Sequence, residues 1–320
     1  MRLLRAIGLL TFSLAVSVCS AQSWPTKPVK IIVALPPGSG PDIMARLIGE
    51  RLSNSWGQAV VVENRPGGAS IPGVMAAVQS APDGYTLLVG TTGVLLNAFT
   101  FKVLPYDPMK QLVPVAFIGK APFMLTVNPG LPVSNLSEFI AYLKANPGKV
   151  AIATEGPRNI GGMMLEYFMA LSGTQMIHVP HSGPAAGITA TIANQTQAAL
   201  QAATATMAQA KAGKLRAIAV TSATPVPGFE NVPPLKTLYS DFEYVGWYMV
   251  YAPASTPPAI VQKVNRDVDR ILKEPETAKK LTELGPVIEG AGTAASLQNF
   301  QQEENIRWSR LVKTTNFQPE

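Results

Sequence analysis

Residues 30–52, KIIVALPPGSGPDIMARLIGERL, join an apolar run to an amphipathic one through a turn of small residues. Ile31, Ile32, Val33, Ala34 and Leu35 are uninterrupted, as in a strand buried on both faces of a parallel sheet. Pro36, Pro37, Gly38, Ser39 and Gly40 break the run. Pro41 suits the first turn of a helix, and Ser39 with Asp42 has capping-box spacing, Asp standing for the usual Glu. Ile43, Met44, Leu47, Ile48 and Leu52 then recur at helical spacing, with Arg46, Glu50 and Arg51 mostly on the other side. A strand, a tight turn and a helix in this order put free backbone N–H groups at the carboxyl end of a strand. Open α/β sheets bind ligands there, and helix N-termini bind anions. An ordinary βα turn has the same appearance.

The pattern continues outward. Residues 59–63 read as a second strand, followed by the turn Asn64, Arg65, Pro66, Gly67, Gly68, and residues 85–89 as a third. Gly90, Thr91, Thr92 and Gly93 bring hydroxyl and backbone donors to the same sheet edge. Strands at 123–127, 149–153, 176–179, 198–202 and 215–220 form a second α/β unit. In it, residues 154–162 and 180–184 are further links from strand to helix. A strand at 245–252 carries the chain back, and helices follow from Pro258, over 277–284 and over 297–312. The expected fold class is α/β, with lobe 1 formed by 22–125 and 248–320 and lobe 2 by 126–247. Two crossing segments, near 123–128 and 244–253, form the hinge, and the last helices pack on lobe 1.

The 320 residues exceed one compact core. Arg2 and Arg5, an apolar run at 9–18 and the small residues Cys19, Ser20 and Ala21 have the form of a signal peptide ending at residue 21. The run is shorter than the ~20 residues of a membrane span. Cys19, the only cysteine, falls inside this leader, so the mature chain has no disulfide. Bulky Val18 argues against a lipid anchor there. The formal net charge is +6, of which Arg2 and Arg5 supply two. No Lys/Arg block is present, which disfavours nucleic acid and fits a protein that attracts small anions. The expected location is the bacterial periplasm.

Enzyme signatures are thin. His178 and His181 are the only histidines, and a zinc site would need distant carboxylates, so no metal is expected. There is no G-x-S-x-G, which leaves a hydrolase only Ser39 or Ser182 with His181. Neither a dinucleotide fingerprint nor a phosphate loop occurs, and no cofactor is expected. Arg158, in a loop that delivers a helix, has the planar fork that suits a carboxylate. A surface arginine is the alternative. His181 either donates to a ligand or caps the helix at Pro184, and Phe99 and Phe101 are assigned to the core.

Several motifs together resemble those of the solute receptors of tripartite tricarboxylate transporters, the Bug-type binding proteins. They are the Trp24-Pro start running into Val29-Lys-Ile-Ile-Val33, Pro37-Gly-Ser-Gly-Pro-Asp-Ile-Met-Ala-Arg46, Glu63-Asn-Arg-Pro-Gly-Gly68, Pro82-Asp-Gly-Tyr-Thr-Leu87, His178-Val-Pro and Arg307-Trp308. The resemblance implies a hinged receptor of Venus-flytrap form that encloses a small carboxylate without catalysis and works with membrane permease subunits; a monomer is expected. It places Pro37, Gly38, Ser39, Gly40, Pro41, Asp42, Thr91 and Thr92 on the first lobe's side of the cleft. Thr154, Arg158, Asn159, Ile160, Gly161, His181 and Ser182 fall on the second. The chain departs from the family pattern at His181-Ser182-Gly183, within 189–194, and at Arg158, where small residues are common. A ligand with carboxylates at two ends, aliphatic or aromatic, is the expectation. A receptor that signals to a two-component sensor would use the same binding step.

Overall fold

The computed structural model describes residues 24–283 and 286–320; the expected signal peptide lies outside the described residues. Ten strands form two five-stranded sheets. The first contains β1 (Val29–Val33), β2 (Val60–Asn64), β3 (Thr86–Thr91), β4 (Leu112–Ala121) and β10 (Gly246–Pro253), in the order β2-β1-β3-β10-β4. The second contains β5 (Phe123–Val127), β6 (Ala151–Thr154), β7 (Ile177–Pro180), β8 (Ala198–Ala202) and β9 (Arg216–Val220), in the order β7-β6-β8-β5-β9.

The two sheets share one design. β1, β2 and β3 are parallel, as are β6, β7 and β8, while β10 and β5 run against both of their neighbours. Each antiparallel strand is the one that has just crossed from the other lobe. It enters at the edge where the parallel strands end and can only run away from that edge. Both carboxyl edges therefore face the crossing point, where such sheets bind ligands.

Helices α1 (Gly40–Trp56), α2 (Ile71–Val78), α3 (Gly93–Thr100) and the short α4 (Pro108–Gln111) belong to the first lobe. The second carries α5 (Leu136–Ala145), α6 (Ile160–Ser172), α7 (Pro184–Ile192) and α8 (Ala203–Lys211). α9 (Pro258–Leu272) buries Val261, Val264, Val268, Ile271 and Leu272 at three- and four-residue spacing among core residues of β1, α1 and β4. α10 (Pro275–Glu283) and α11 (Ala294–Thr315) complete the chain.

Three features differ from the sequence reading. β4 was not anticipated, because Pro114 and Gly119 interrupt its apolar run. It is an edge strand, where a residue without an N–H costs least. β5 lies wholly in the second sheet, so the first crossing sits at Pro122, just before the expected boundary. α11 packs on both lobes rather than the first alone: Leu297 joins a first-lobe core, whereas Trp308 and Leu311 lie in the second-lobe core.

α11 also supplies the brace of the second crossing. Glu304, 1% exposed, accepts hydrogen bonds from Trp247 Nε1 at 2.9 Å and Trp308 Nε1 at 3.2 Å, and pairs with Arg307. Burial raises its pKa against the pull of these donors. Truncation would strand two buried indole N–H groups and leave Arg307 without its carboxylate. Glu304→Ala should therefore lower the free energy of unfolding by about 3 kcal/mol or more, and Glu304→Gln by less. Urea denaturation followed by tryptophan fluorescence measures both; a loss below about 0.5 kcal/mol for the alanine variant would show that the network is not a brace.

Candidate functional site

A cavity of about 840 Å³ lies between the two sheets, within the usual size range of small-molecule sites. Five helices begin at its wall: Pro41, Ile71, Gly93, Ile160 and Pro184 are the first or second residues of α1, α2, α3, α6 and α7, and all line it. Each helix start carries roughly half a positive charge on free N–H groups. The floor comes from the crossings and their neighbours, with Phe123, Gly246, Trp247, Tyr248 and Ala202.

In the first lobe, Pro41 faces the cavity, but Pro37, Gly38, Ser39 and Gly40 are not part of its wall. The anticipated capping box does not form. Ser39 precedes α1 without a side-chain cap bond, and its Oγ is buried with no partner among the described residues. Asp42 instead turns back to accept the Gly38 N–H at 2.8 Å, Arg46 Nε at 3.2 Å and Asn64 Nδ2 at 2.9 Å. Burial opposes its charge, yet these donors prevail and hold the carboxyl below its usual pKa. Asp42 thus shapes the loop from beneath.

Thr91, Thr92 and Gly93 line the cavity, with Thr91 Oγ1 accepting the Gly93 N–H at 3.2 Å and Thr92 Oγ1 accepting the Trp247 N–H at 3.0 Å. A third stretch, Gly68, Ala69, Ser70 and Ile71, joins them. Ala69 and Ser70 adopt φ of 51° and 66°, left-handed values that are costly for residues with a side chain. Asn97 Nδ2 donates to the Ala69 carbonyl at 2.7 Å and secures this turn. The sequence marks Gly67 and Gly68 as a turn but gives no sign that the next two residues reach the cleft.

In the second lobe, Arg158, Asn159 and Ile160 line the cavity, whereas Thr154, Gly161, His181 and Ser182 do not. Thr154 is fully buried; its Oγ1 shares a 2.5 Å hydrogen bond with His178 Nε2 and accepts the Gly156 N–H at 3.1 Å. His181 Nδ1 is bonded to the Val179 carbonyl at 3.0 Å, and Gly161 packs between Leu200 and Phe123. Phe101, assigned to the core from sequence, reaches the cavity, while Phe99 packs on the second-lobe core.

Three further ionisable side chains line the wall: Glu155, inside the loop 154–162 assigned to the cleft but not singled out there, and Tyr248 and Glu320, which have no counterpart in the sequence reading. Burial pushes the Glu155 carboxyl up to about 7. Burial, and then the nearby charge of Glu155, raises Tyr248. Residue 320 is held by its N–H to the Thr100 carbonyl at 3.1 Å and by its carbonyl from the Lys102 N–H at 2.7 Å. Its carboxylate meets Arg158 Nε at 3.4 Å and so spans the mouth of the cleft. Among the described residues no cluster of three His, Cys, Asp or Glu could hold a metal, and no helix is long and apolar enough to cross a membrane.

A deep cleft between two α/β sheets joined by crossing strands, with helix starts on both walls, defines a two-lobed solute-binding receptor. The family described as tripartite tricarboxylate transporter family receptor matches residues 44–317. The chain belongs to that family, whose members are periplasmic solute-binding receptors and not enzymes. Protein BugT of Bordetella pertussis is 32% identical, covering 98% of this chain and 97% of its own length. An adipate-bound R. palustris structure superposes with a TM-score of 0.79 at 29% identity, covering 93% of this chain and 100% of its own. MatC of Rhodopseudomonas palustris with bound malate gives 0.75 at 26%, covering 90% and 100%.

The raised pKa of Glu155 makes stability depend on pH. The fold favours the protonated acid, so stabilisation is complete below the ordinary value near 4.5 and is lost as pH rises through about 7. Glu155→Gln should be no more stable than the parent at pH 4.5 and, discounting for partial exposure, about 2 kcal/mol more stable at pH 8. Urea titrations at the two pH values test this; an equal difference at both would mean that Glu155 does not titrate in that range.

Proposed function

We propose that this receptor captures a small dicarboxylate, aliphatic or aromatic, in the periplasm and delivers it as a monomer to the membrane subunits of a tripartite transporter. The observation that carries the reading is the convergence of five helix starts and Arg158 on one cavity. Helix ends contribute up to ~2 kcal/mol each and charge-assisted hydrogen bonds ~1.5 to 3 each, so a few of them reach the ~8 kcal/mol of a micromolar complex. The adipate and malate carried by related structures have this chemistry.

A thermal-shift screen of the chain from residue 22 against mono-, di- and tricarboxylates tests it. A carboxylate at one hundred times its dissociation constant should add ~2.7 kcal/mol of stability, and its uncharged amide isostere nothing. Stabilisation by sugars or amides alone would overturn the reading.

Arg158 is proposed to hold the second carboxylate. Its pair with Glu320 is exposed on both sides and is worth at most about 1 kcal/mol, so a ligand carboxylate can replace it. Arg158→Ala should weaken a dicarboxylate about thirtyfold, roughly 2 kcal/mol, and a monocarboxylate far less. Arg158→Lys should recover part of the loss, since it keeps the charge without the fork. Calorimetric titration of the three proteins decides it, and equal affinities would return Arg158 to the surface.

A further inference from the structure

Residues 316–320 return the chain from the second lobe to the first and end against the mouth of the cleft. Asn316, with φ of 50°, stops α11, and the Phe317 N–H turns back to the Val312 carbonyl at 3.1 Å. Phe317 packs on the second-lobe core, so the segment starts from that lobe. Pro319 fixes its own φ and restricts Gln318, which stiffens the step that follows. Residue 320 then meets the end of α3 in the first lobe. Its N–H and carbonyl bind on either side of Phe101, to the Thr100 carbonyl at 3.1 Å and the Lys102 N–H at 2.7 Å. From this anchored backbone the Glu320 side chain turns back to Arg158 of the second lobe, Oε2 to Nε at 3.4 Å. Both residues line the cavity, and Arg158 is the only cationic side chain of its wall among the described residues.

A carboxylate pinned by its own backbone and set against the one cation of a cleft stands where a ligand's carboxylate would. We infer that Glu320 is a specificity-determining residue, a tethered competitor that a ligand displaces only with a second carboxylate that reaches Arg158. The inference deepens the carboxylate-receptor reading and rests on the proposed role of Arg158. The two backbone bonds give the side chain a high effective concentration at the guanidinium. Exposure on both sides keeps the pair weak, so it raises the threshold for binding without closing the site. A monocarboxylate seated on the helix starts leaves the pair in place and does not compete with it. A dicarboxylate exchanges one ion pair for another, and it gains because two oxygens fill the guanidinium fork better than a single contact at Nε does.

Calorimetric titration of the parent, Glu320→Gln, Arg158→Ala and the double variant tests this. The probes are succinate, adipate and terephthalate, each beside its monoamide, which keeps the shape and loses one charge. Glu320→Gln keeps the size of the side chain and both backbone bonds, and it should melt with the parent. Whichever diacid the parent binds most tightly should bind Glu320→Gln about threefold more tightly, the effect of one weak exposed pair, and its monoamide should bind both alike. In the Arg158→Ala background the same substitution should alter neither affinity. An unchanged or weaker diacid affinity in Glu320→Gln, an equal gain for the monoamide, or a gain that survives in Arg158→Ala would overturn the inference. The last two results would make Glu320 a diffuse charge at the mouth. Where Arg158→Ala still weakens the diacid, the receptor reading stands without Glu320. Where Arg158→Ala binds as the parent does, the proposed role of Arg158 fails and the inference with it. If no diacid binds a parent protein that melts cooperatively, the dicarboxylate reading fails and both fall.

Discussion

The carboxylate of Glu304, buried between the indoles of Trp247 and Trp308, is the interaction on which the arrangement of the cleft depends. Burying a charge costs several kcal/mol and is repaid only where every lone pair finds a donor in good geometry. Two indole N–H groups and the Arg307 guanidinium repay part of that cost, burial still raising the pKa, and each sits at a fixed place in the crossing region. Trp247 in turn gives its backbone N–H to Thr92 Oγ1, which ties the incoming strand to the turn that opens α3. A helix from the end of the chain thereby sets the floor of the cavity and one of its walls.

The cleft lies where it does for a topological reason. A chain that builds one α/β unit, crosses to build a second and then returns must enter each sheet beside the ends of its parallel strands. The entering strands, β5 and β10, begin at Phe123 and Gly246, and both residues are in the cavity wall. The parallel strands finish at the same edge, so the helices that follow them start there. Positive helix ends thus collect on one space without a dedicated cationic residue. A neutral ligand makes no use of such a field, whereas a carboxylate does.

Much of this was legible from residues alone, because a strand buried on both faces must be an apolar run and the following helix must show its stripe. β1, α1 and the α/β repeat of the second lobe follow directly. β4 was missed because Pro114 and Gly119 obey edge rules rather than core rules. The loops were legible as cleft loops, but the direction of their side chains was not. Thr154 and His181 turn inward to His178 and the Val179 carbonyl, and Asp42 folds beneath its own loop; these are hydrogen-bond choices that spacing does not encode. Ala69 and Ser70 escaped notice because left-handed backbone at residues with side chains leaves no glycine to mark it.

Glu155 shows why the class of ligand can be read more easily than its identity. Backbone N–H groups at helix starts depend on strand and turn patterns, which any sequence with the same fold repeats, and they account for a carboxylate as such. The ionisable side chains that reach past the backbone to the cavity wall are Glu155, Arg158, Tyr248 and Glu320. An acidic residue in a cleft that collects anions contradicts the simplest electrostatic expectation, and for that reason composition and charge point away from it. The same contradiction makes it informative once the wall is assembled. Burial, which raises the pKa of Glu155, reduces the charge that it sets against the field of the helix starts.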